Sequence, residues 1–500
     1  MENKIKLNLS AYGIISAISF IFLVLTDYPG ISIPIFFVIQ FASLYIIVKN
    51  KDEVKNIKGL WFMVPIFAIS LNFFISANYI WVPTNFLAIV FLYSAMFLSL
   101  DGRLNLMKLN ALRMVNVVVN VFEPFINFRV PFMWMAERSR NREKSTVGKR
   151  ILIGVLISVP CVFFLTMMLS SADMIFYNNF KEFNKLIEEF FYDLQLFKII
   201  FGVFSGLYLF SHLYKVFDAC DCGIMKVTEN DATAKKISGD VIILNILFAS
   251  ILVIYTIFIV IQFKYLFSSG ELPYGLNYAE YARRGFFELI FLSVLNIGLI
   301  MLVTYLLKDK IYDEKNKWAL VTKAMMMYLC AVTGILLISS YYRMSLYDSA
   351  YGFTRLRILV YMFLIFEGLG LTATLIYIIK HNFNIFAVYA AVALAFYMTL
   401  NLVKIDEIIA ERNIDMYLSG ESETVDVDYL MTLSQDAVPQ IMRLLDKDVD
   451  IVARNSARIY VVQLQKTYDS MDNSWQSYNL SLEKNKRLLI ENKDKIEFKY

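Results

Sequence analysis

Cysteine and histidine are nearly missing from this chain: four and two among 500 residues. The histidines, His212 and His381, are not spaced as partners. Imidazole acid–base chemistry and a histidine-based zinc site therefore have little to work with. Cys161 and Cys330 fall in apolar runs, where a thiol acts as a small hydrophobe, and Cys220 and Cys222 form a C-x-C that is half a zinc site at most. No cysteine falls in the loops assigned below to the outer side, which excludes a disulfide framework. The sequence also lacks a P-loop, a Rossmann glycine pattern, H-E-x-x-H and G-x-S-x-G. No motif calls for a cofactor or a metal. Any catalysis would rest on carboxylates, arginine and lysine.

Charge is the other shortage. Asp, Glu, Lys and Arg make up 18% of the chain, against about 25% in soluble proteins. Hydrophobic residues make up 58%, with 42 Phe and 31 Tyr. So much apolar surface cannot be hidden in one core and must face lipid. Runs near twenty residues, long enough to cross about 30 Å of hydrocarbon, fall at 7–26, 31–49, 59–77, 84–100, 151–170, 195–215, 241–267, 285–307, 318–340, 358–379 and 383–403. The expected architecture is all-α: a transmembrane bundle of about eleven spans with a small helical soluble domain after it. Residues 1–26 resemble a signal peptide but lack an A-x-A site, and read as the first span.

Positive charge orients the runs. The segments assigned to the inner side hold 25 Lys and Arg, and the outer loops before the tail hold seven. This places the N-terminus on the cytoplasmic side and, with an odd span count, the tail on the outer side of the membrane. Four regions result: spans at 1–100, an amphipathic and basic segment at 101–150, a seven-span core at 151–403, and an extracytoplasmic helical domain at 404–500. In 101–150 the residues Asn105, Lys108, Arg113, Asn116, Asn120, Glu123 and Asn127 recur every three to five positions, a helix lying in the interface and ending near Pro124. The tail carries 13 basic and 18 acidic residues, which argues against a nucleic-acid partner. Asp436 stands as an N-cap ahead of Pro439 and an apolar series, and a second helix starts after Ser474.

The informative residues are charges in costly places. Five of the seven outer cations are arginines at helix ends: Arg283, Arg284, Arg343, Arg355 and Arg357. Their planar forks suit carboxylate or phosphate; Glu280 and Glu288, each four residues from Arg284, are the local acids that would pair instead. Glu367 lies nine residues into its run, about 13 Å deep, and must face protein or water. Gly368 and Gly370 beside it allow close approach. Lys323 sits near enough to the inner boundary to snorkel, and Asn245, Gln262, Asn296 and Asn401 read as amides that join helices.

Four of these segments resemble a known family. They are Tyr278-Ala-Glu-Tyr-Ala-Arg-Arg-Gly-Phe-Phe-Glu-Leu289, Tyr342-Arg-Met-Ser-Leu-Tyr347, Tyr351-Gly-Phe-Thr-Arg-Leu-Arg357 and Val425-Asp-Val-Asp-Tyr-Leu-Met-Thr-Leu-Ser-Gln-Asp-Ala-Val-Pro439. They are similar to signatures of a bacterial membrane-protein family catalogued as a domain of unknown function of the 4153/4173 type. The resemblance runs from the fifth span to the tail, places the five arginines within the pattern, and implies no activity. The expectation is an envelope protein that is not an enzyme. It would bind an anionic lipid or envelope glycopolymer through Arg283, Arg284, Arg343, Arg355 and Arg357, with Glu288 and Glu367 nearby and a protein partner for the tail. Group transfer on a lipid-linked substrate, and proton-coupled transport through Glu367, are the alternatives.

Overall fold

The computed structural model describes residues 3–49, 54–140, 196–217, 240–262, 286–307, 316–446, 448–471 and 474–496, together with Gly154, Ser158, Val162, Leu165 and Leu169. Every regular element among them is helical. The membrane-type helices are α1 (Asn3–Leu23), α2 (Ser32–Val48), α3 (Met63–Ile75) and α4 (Val82–Leu100). After α5 (Ala111–Asn120) and α6 (Val130–Arg140) come α7 (Leu196–Phe217), α8 (Val241–Gln262), α9 (Phe286–Leu307), α10 (Lys317–Tyr351), α11 (Arg355–Lys380) and α12 (Ile385–Leu402). The C-terminal helices are α13 (Ile405–Leu418), α14 (Val427–Met431), α15 (Val438–Ile441), α16 (Ile451–Ser470), α17 (Leu480–Glu491) and α18 (Lys493–Ile496).

Among the described residues nine helices are long and apolar enough to cross a bilayer, and α2, at 17 residues, is a shorter apolar helix. Ten of the eleven apolar runs thus correspond to helices; the run 151–170 lies almost wholly outside the described residues. Exposure shows why these helices need lipid. On α8 Asn245, Phe248, Leu252 and Tyr255 form a narrow buried stripe, while Ile243, Ile246, Val253, Ile254, Ile257 and Val260 are exposed. An α-helix apolar on its outer face as well has no place in water. The protein is an all-helical, multi-pass membrane protein.

The chain divides into two compact units, Met1–Met63 with Tyr93–Arg103 and Val117–Ile224, and Val64–Leu92 with Leu104–Asn116 and Met225–Tyr500. In the first, α1 and α7 meet along small residues. A Cβ on Gly206 would lie 2.5 Å from the Gly13 carbonyl oxygen and 2.7 Å from the Ala17 Cβ. Such contacts let helix backbones pack in a medium that gives no hydrophobic drive to association. Gln40 of α2 is buried and clasped by α1: Ser16 donates to its Oε1 (2.8 Å), and its Nε2 donates to Ser19 (3.0 Å). Buried Glu123 takes both Lys215 of α7 and Arg103 as ion-pair partners.

The segment expected to lie in the interface is helical over Ala111–Asn120, and Pro124 instead opens a 3-10 stretch, Glu123–Arg129. Its apolar residues Leu112, Met114, Val115 and Val118 are exposed, while Asn120 is buried and donates to Ser94. That outward apolar face is the one an interfacial helix presents to lipid.

In the second unit α8–α12 form a bundle with a continuous apolar core. Asn245 ties α8 to α10 by donating to the Trp318 carbonyl (3.1 Å) and accepting from Thr322 (2.7 Å). The side chain of Gln262, at the end of α8, lies outside the described residues. Helix α10 is longer than its apolar run: its 35 residues reach about 52 Å. The part beyond position 340 carries the Tyr342–Tyr347 motif past the hydrocarbon-length stretch. The C-terminal helices build a core of their own around Ile409, Ile414, Leu430, Ile441, Leu444 and Val461. That core runs on into Ala77 and Leu400 and packs Phe353 of the α10–α11 turn and Ile358 and Met362 of α11.

Candidate functional site

The second unit's polar chemistry concentrates where three turns meet: the end of α3, the α10–α11 turn and the α12–α13 junction. Gly352 makes the first of these contacts possible. Its φ is +72°, and a Cβ there would stand 2.6 Å from Asn413 Oδ1, so both backbone and space demand glycine. The approach lets Asn413 of α13 pair with the Phe353 backbone in both directions, accepting from its N–H and donating to its carbonyl, each at 2.8 Å. Residues 406, 409–410 and 413 share one face of α13 by helical spacing, so the same face carries Asp406 to the start of α11.

Arg355 meets Asp406 fork to fork: Nε donates to Oδ1 at 2.8 Å and Nη2 to Oδ2 at 2.7 Å. The Asp406 carboxylate, 1% exposed, also accepts from Asn78 Nδ2 (3.1 Å) and the Ser434 N–H (2.9 Å). Burial pushes this carboxyl up, but Arg355 and the Ser434 N–H outweigh burial and hold it below the usual carboxylate range. Tyr429 completes the arrangement. Burial raises its phenol, so the neutral hydroxyl accepts the Arg355 backbone N–H at 2.8 Å.

Asp436 is the second buried carboxylate here, also 1% exposed. Rather than serving as an N-cap, it lies in a 3-10 turn, Gln435–Ala437, and reaches α3. It accepts from the Ser76 hydroxyl (2.5 Å), the Ala77 N–H (2.9 Å) and the Ser481 hydroxyl, with Lys404 Nζ at 3.8 Å. Asn479 adds bonds to the Phe73 and Ser76 carbonyls, which the end of α3 leaves open. Pro439 does stand in the first turn of α15, as expected.

Arg357, two residues beyond Arg355, serves the end of α10. Its Nε lies 3.5 Å from Asp348 Oδ1, its Nη1 donates to the Gly352 carbonyl, and its guanidinium stacks 4.1 Å from the Tyr347 ring. A cation at a helix C-terminus is favourably placed. Arg343 is buried on the extension of α10. Arg283, Arg284 and Glu280 lie outside the described residues, as do Cys161, Cys220 and Cys222. Glu288 is exposed in the first turn of α9.

A different polar feature crosses the middle of the bundle. Tyr255 of α8 donates to Asn296 Oδ1 of α9 (2.7 Å), whose Nδ2 donates to Thr333 of α10 (3.1 Å). One turn from Asn296, Ser293 donates to Glu367 Oε1 of α11 at 2.5 Å. Glu367 is 4% exposed, and its Oε2 has no hydrogen-bond partner among the described residues. Gly370 admits the Tyr389 ring of α12, 2.9 Å from where a Cβ would be, whereas Gly368 meets nothing. Lys323 reaches the Ile379 carbonyl near the far end of α11. Among the described residues neither Glu288 nor Glu367 forms an ion pair, so the turn gathers Arg355 and Arg357 but not these two acids. Free Cys330 is buried, and no group of three metal-ligating side chains occurs among the described residues.

The sequence pointed to Arg355, Arg357 and Glu367 by their cost; it did not point to the groups that answer them at the turn, such as Asn78, Ser76 or Asp406. Asp406 and Glu407, acidic residues directly after an apolar run, were the available signal. No curated protein and no solved structure matches the chain. The family described as Domain of unknown function (DUF4153) matches residues 63–444. That span takes in the α10–α11 turn, Asp406, Asp436 and Glu367, and the chain belongs to the DUF4153 family.

Proposed function

We propose that the protein is a non-enzymatic membrane protein in which the helical segment 404–496 is an interaction or sensing module coupled to α11. One observation carries this reading: a single carboxylate, Asp406, bonds Arg355 at the start of α11, Asn78 after α3 and Ser434 within the module. A displacement of the module therefore bears on the helix that holds Glu367. The excess of Lys and Arg on alternate loops supports the module lying outside a bacterial cytoplasmic membrane, where its partner would be a protein or envelope component.

The residue type of Arg343, Arg355 and Arg357 supports an anionic lipid or envelope glycopolymer at this turn. Asp348 and Asp406 weigh against it, because such a group would have to displace counter-ions already seated on Arg357 and Arg355. The same fact weighs against group transfer: the carboxylates beside these arginines are committed to them.

Hydrogen exchange of the full protein in membranes tests the coupling. Arg355→Lys, which loses the fork, should speed exchange both in α13–α15 and along the first half of α11. Release of the module with α11 unchanged would overturn the reading. A reporter fused after Tyr500 tests the side, and cytoplasmic activity would overturn the outward placement.

A further inference from the structure

We propose that Glu367 is a proton-binding site inside the membrane bundle, with Ser293 as the hydroxyl that adapts to both of its states. This does not rest on the coupling role above. Glu367 lies twelve residues into α11, about 18 Å from its start, and is buried against α9 by the Ser293 contact.

The geometry around the hydroxyl is what singles this acid out. Ser293 Oγ lies 2.5 Å from Glu367 Oε1 and 2.7 Å from the Ile290 carbonyl oxygen of its own helix. A hydroxyl has one hydrogen and two lone pairs, so it cannot donate to both oxygens at once. With the carboxylate ionised, Ser293 donates to Oε1. With a proton on Oε1, the new O–H donates to Ser293 Oγ and the serine hydrogen turns to the Ile290 carbonyl, giving an unbroken chain from carboxyl to backbone. Uptake breaks an O–H bond of hydronium, forms one at Oε1 and leaves water; release is the reverse, and nothing is oxidised or reduced. Both states are accommodated by rotation of a single hydrogen.

The surroundings fit a proton better than a larger ligand. Tyr389 on α12 lies within electrostatic reach of Glu367 and Cys330, and the polar chain one turn along α9, Tyr255–Asn296–Thr333, is uncharged. The charged residues nearest along α9–α11 are Glu288, Lys323, Arg343 and Arg357, and among the described residues Glu367 forms no ion pair. A calcium or magnesium ion would want about six or more oxygens, and among the described residues this site offers the carboxyl and one hydroxyl. Oε2, which has no hydrogen-bond partner among the described residues, gives a further reason. A purely structural position would be filled without an unsatisfied acceptor by an apolar side chain of similar volume.

Infrared spectroscopy of the full protein in lipid, titrated from acid to alkaline pH, reads the site directly. The wild type should show a protonated-carboxyl carbonyl band that disappears as the pH rises, and Glu367→Gln should lose it. Spectra of the two proteins that superpose at every pH would overturn the proposal. Ser293→Ala leaves the carboxyl in place and gives a second readout. Its band should titrate with a displaced midpoint, and an unchanged midpoint would overturn the role given to the hydroxyl. A band that responds to sodium at constant pH would overturn the assignment of the proton as sole ligand.

Discussion

Two buried acids stand on either side of the α11 start, and the protein treats them differently. Among the described residues Asp406 has an arginine fork, an amide and a backbone N–H on its carboxylate, whereas Glu367 has one hydroxyl on Oε1 and no partner on Oε2. The first is built as a permanent anion, since its donors complement a negative charge and would lose by its neutralisation. The second is surrounded by groups that tolerate either state. Burial alone therefore says little about what an acid does; the number and charge of its donors decide it.

The comparison breaks first at Asp406. Asp406→Asn removes the counter-charge of a guanidinium that is 26% exposed and should cost the lower part of about 3–5 kcal/mol, read as a fall in thermal midpoint in detergent or lipid. In the first unit, Gly206→Val forces a side chain into the Gly13 backbone and Ala17; about 1–3 kcal/mol is expected, with loosened α1–α7 packing measured by cysteine cross-linking. Gly352→Ala combines a positive φ with the Asn413 contact and should cost about 1–2 kcal/mol, seen as faster exchange of the Phe353 amide.

Acidification sharpens the contrast. The Asp406 carboxyl is depressed in the folded protein, so its contribution is complete above the ordinary carboxylate value and is lost as the pH falls through the lower folded value. The wild-type midpoint should drop in that acid window, and Asp406→Asn should flatten the drop. The smallest effect belongs to Glu367→Gln, an isostere that keeps an acceptor for Ser293. A change under about 1 kcal/mol is expected, and a loss as large as that of Asp406→Asn would erase the distinction.

Much of this was legible in the chain. Ten apolar runs became helices because length and composition suffice for a span. Arg355, Arg357 and Glu367 stood out because such charges are expensive where they lie. What failed was local reasoning about partners. Arg355 took Asp406, 51 positions away, and Asp436 reached back 360 positions to Ser76, distances that local spacing does not reach. The end of α10 was set too early, since hydropathy stops at position 340 while the helix continues in polar and aromatic residues to Tyr351. Helix α16 could have been read from Asp450, which caps it, and from the helical spacing of Ala457, Val461, Leu464 and Tyr468.

The turns also sort by end. The close of α3, the α10–α11 turn and the start of α13 meet at one end of the second unit. At another, Asn384 donates to the Met107 and Leu109 carbonyls, joining the α11–α12 turn to the segment before α5. Family membership covers the turn and both acids but stops at position 444. Helices α16–α18 complete the module's core from outside the matched span.

By itself the sequence determined that this chain is a bundle of lipid-facing helices, because hydropathy over twenty residues is a local sum that needs no neighbour. It also determined which charges had to be answered. Only the tertiary structure decided what answers them: a carboxylate's state depends on donors brought by other helices, and those arrive through packing rather than through spacing along the chain.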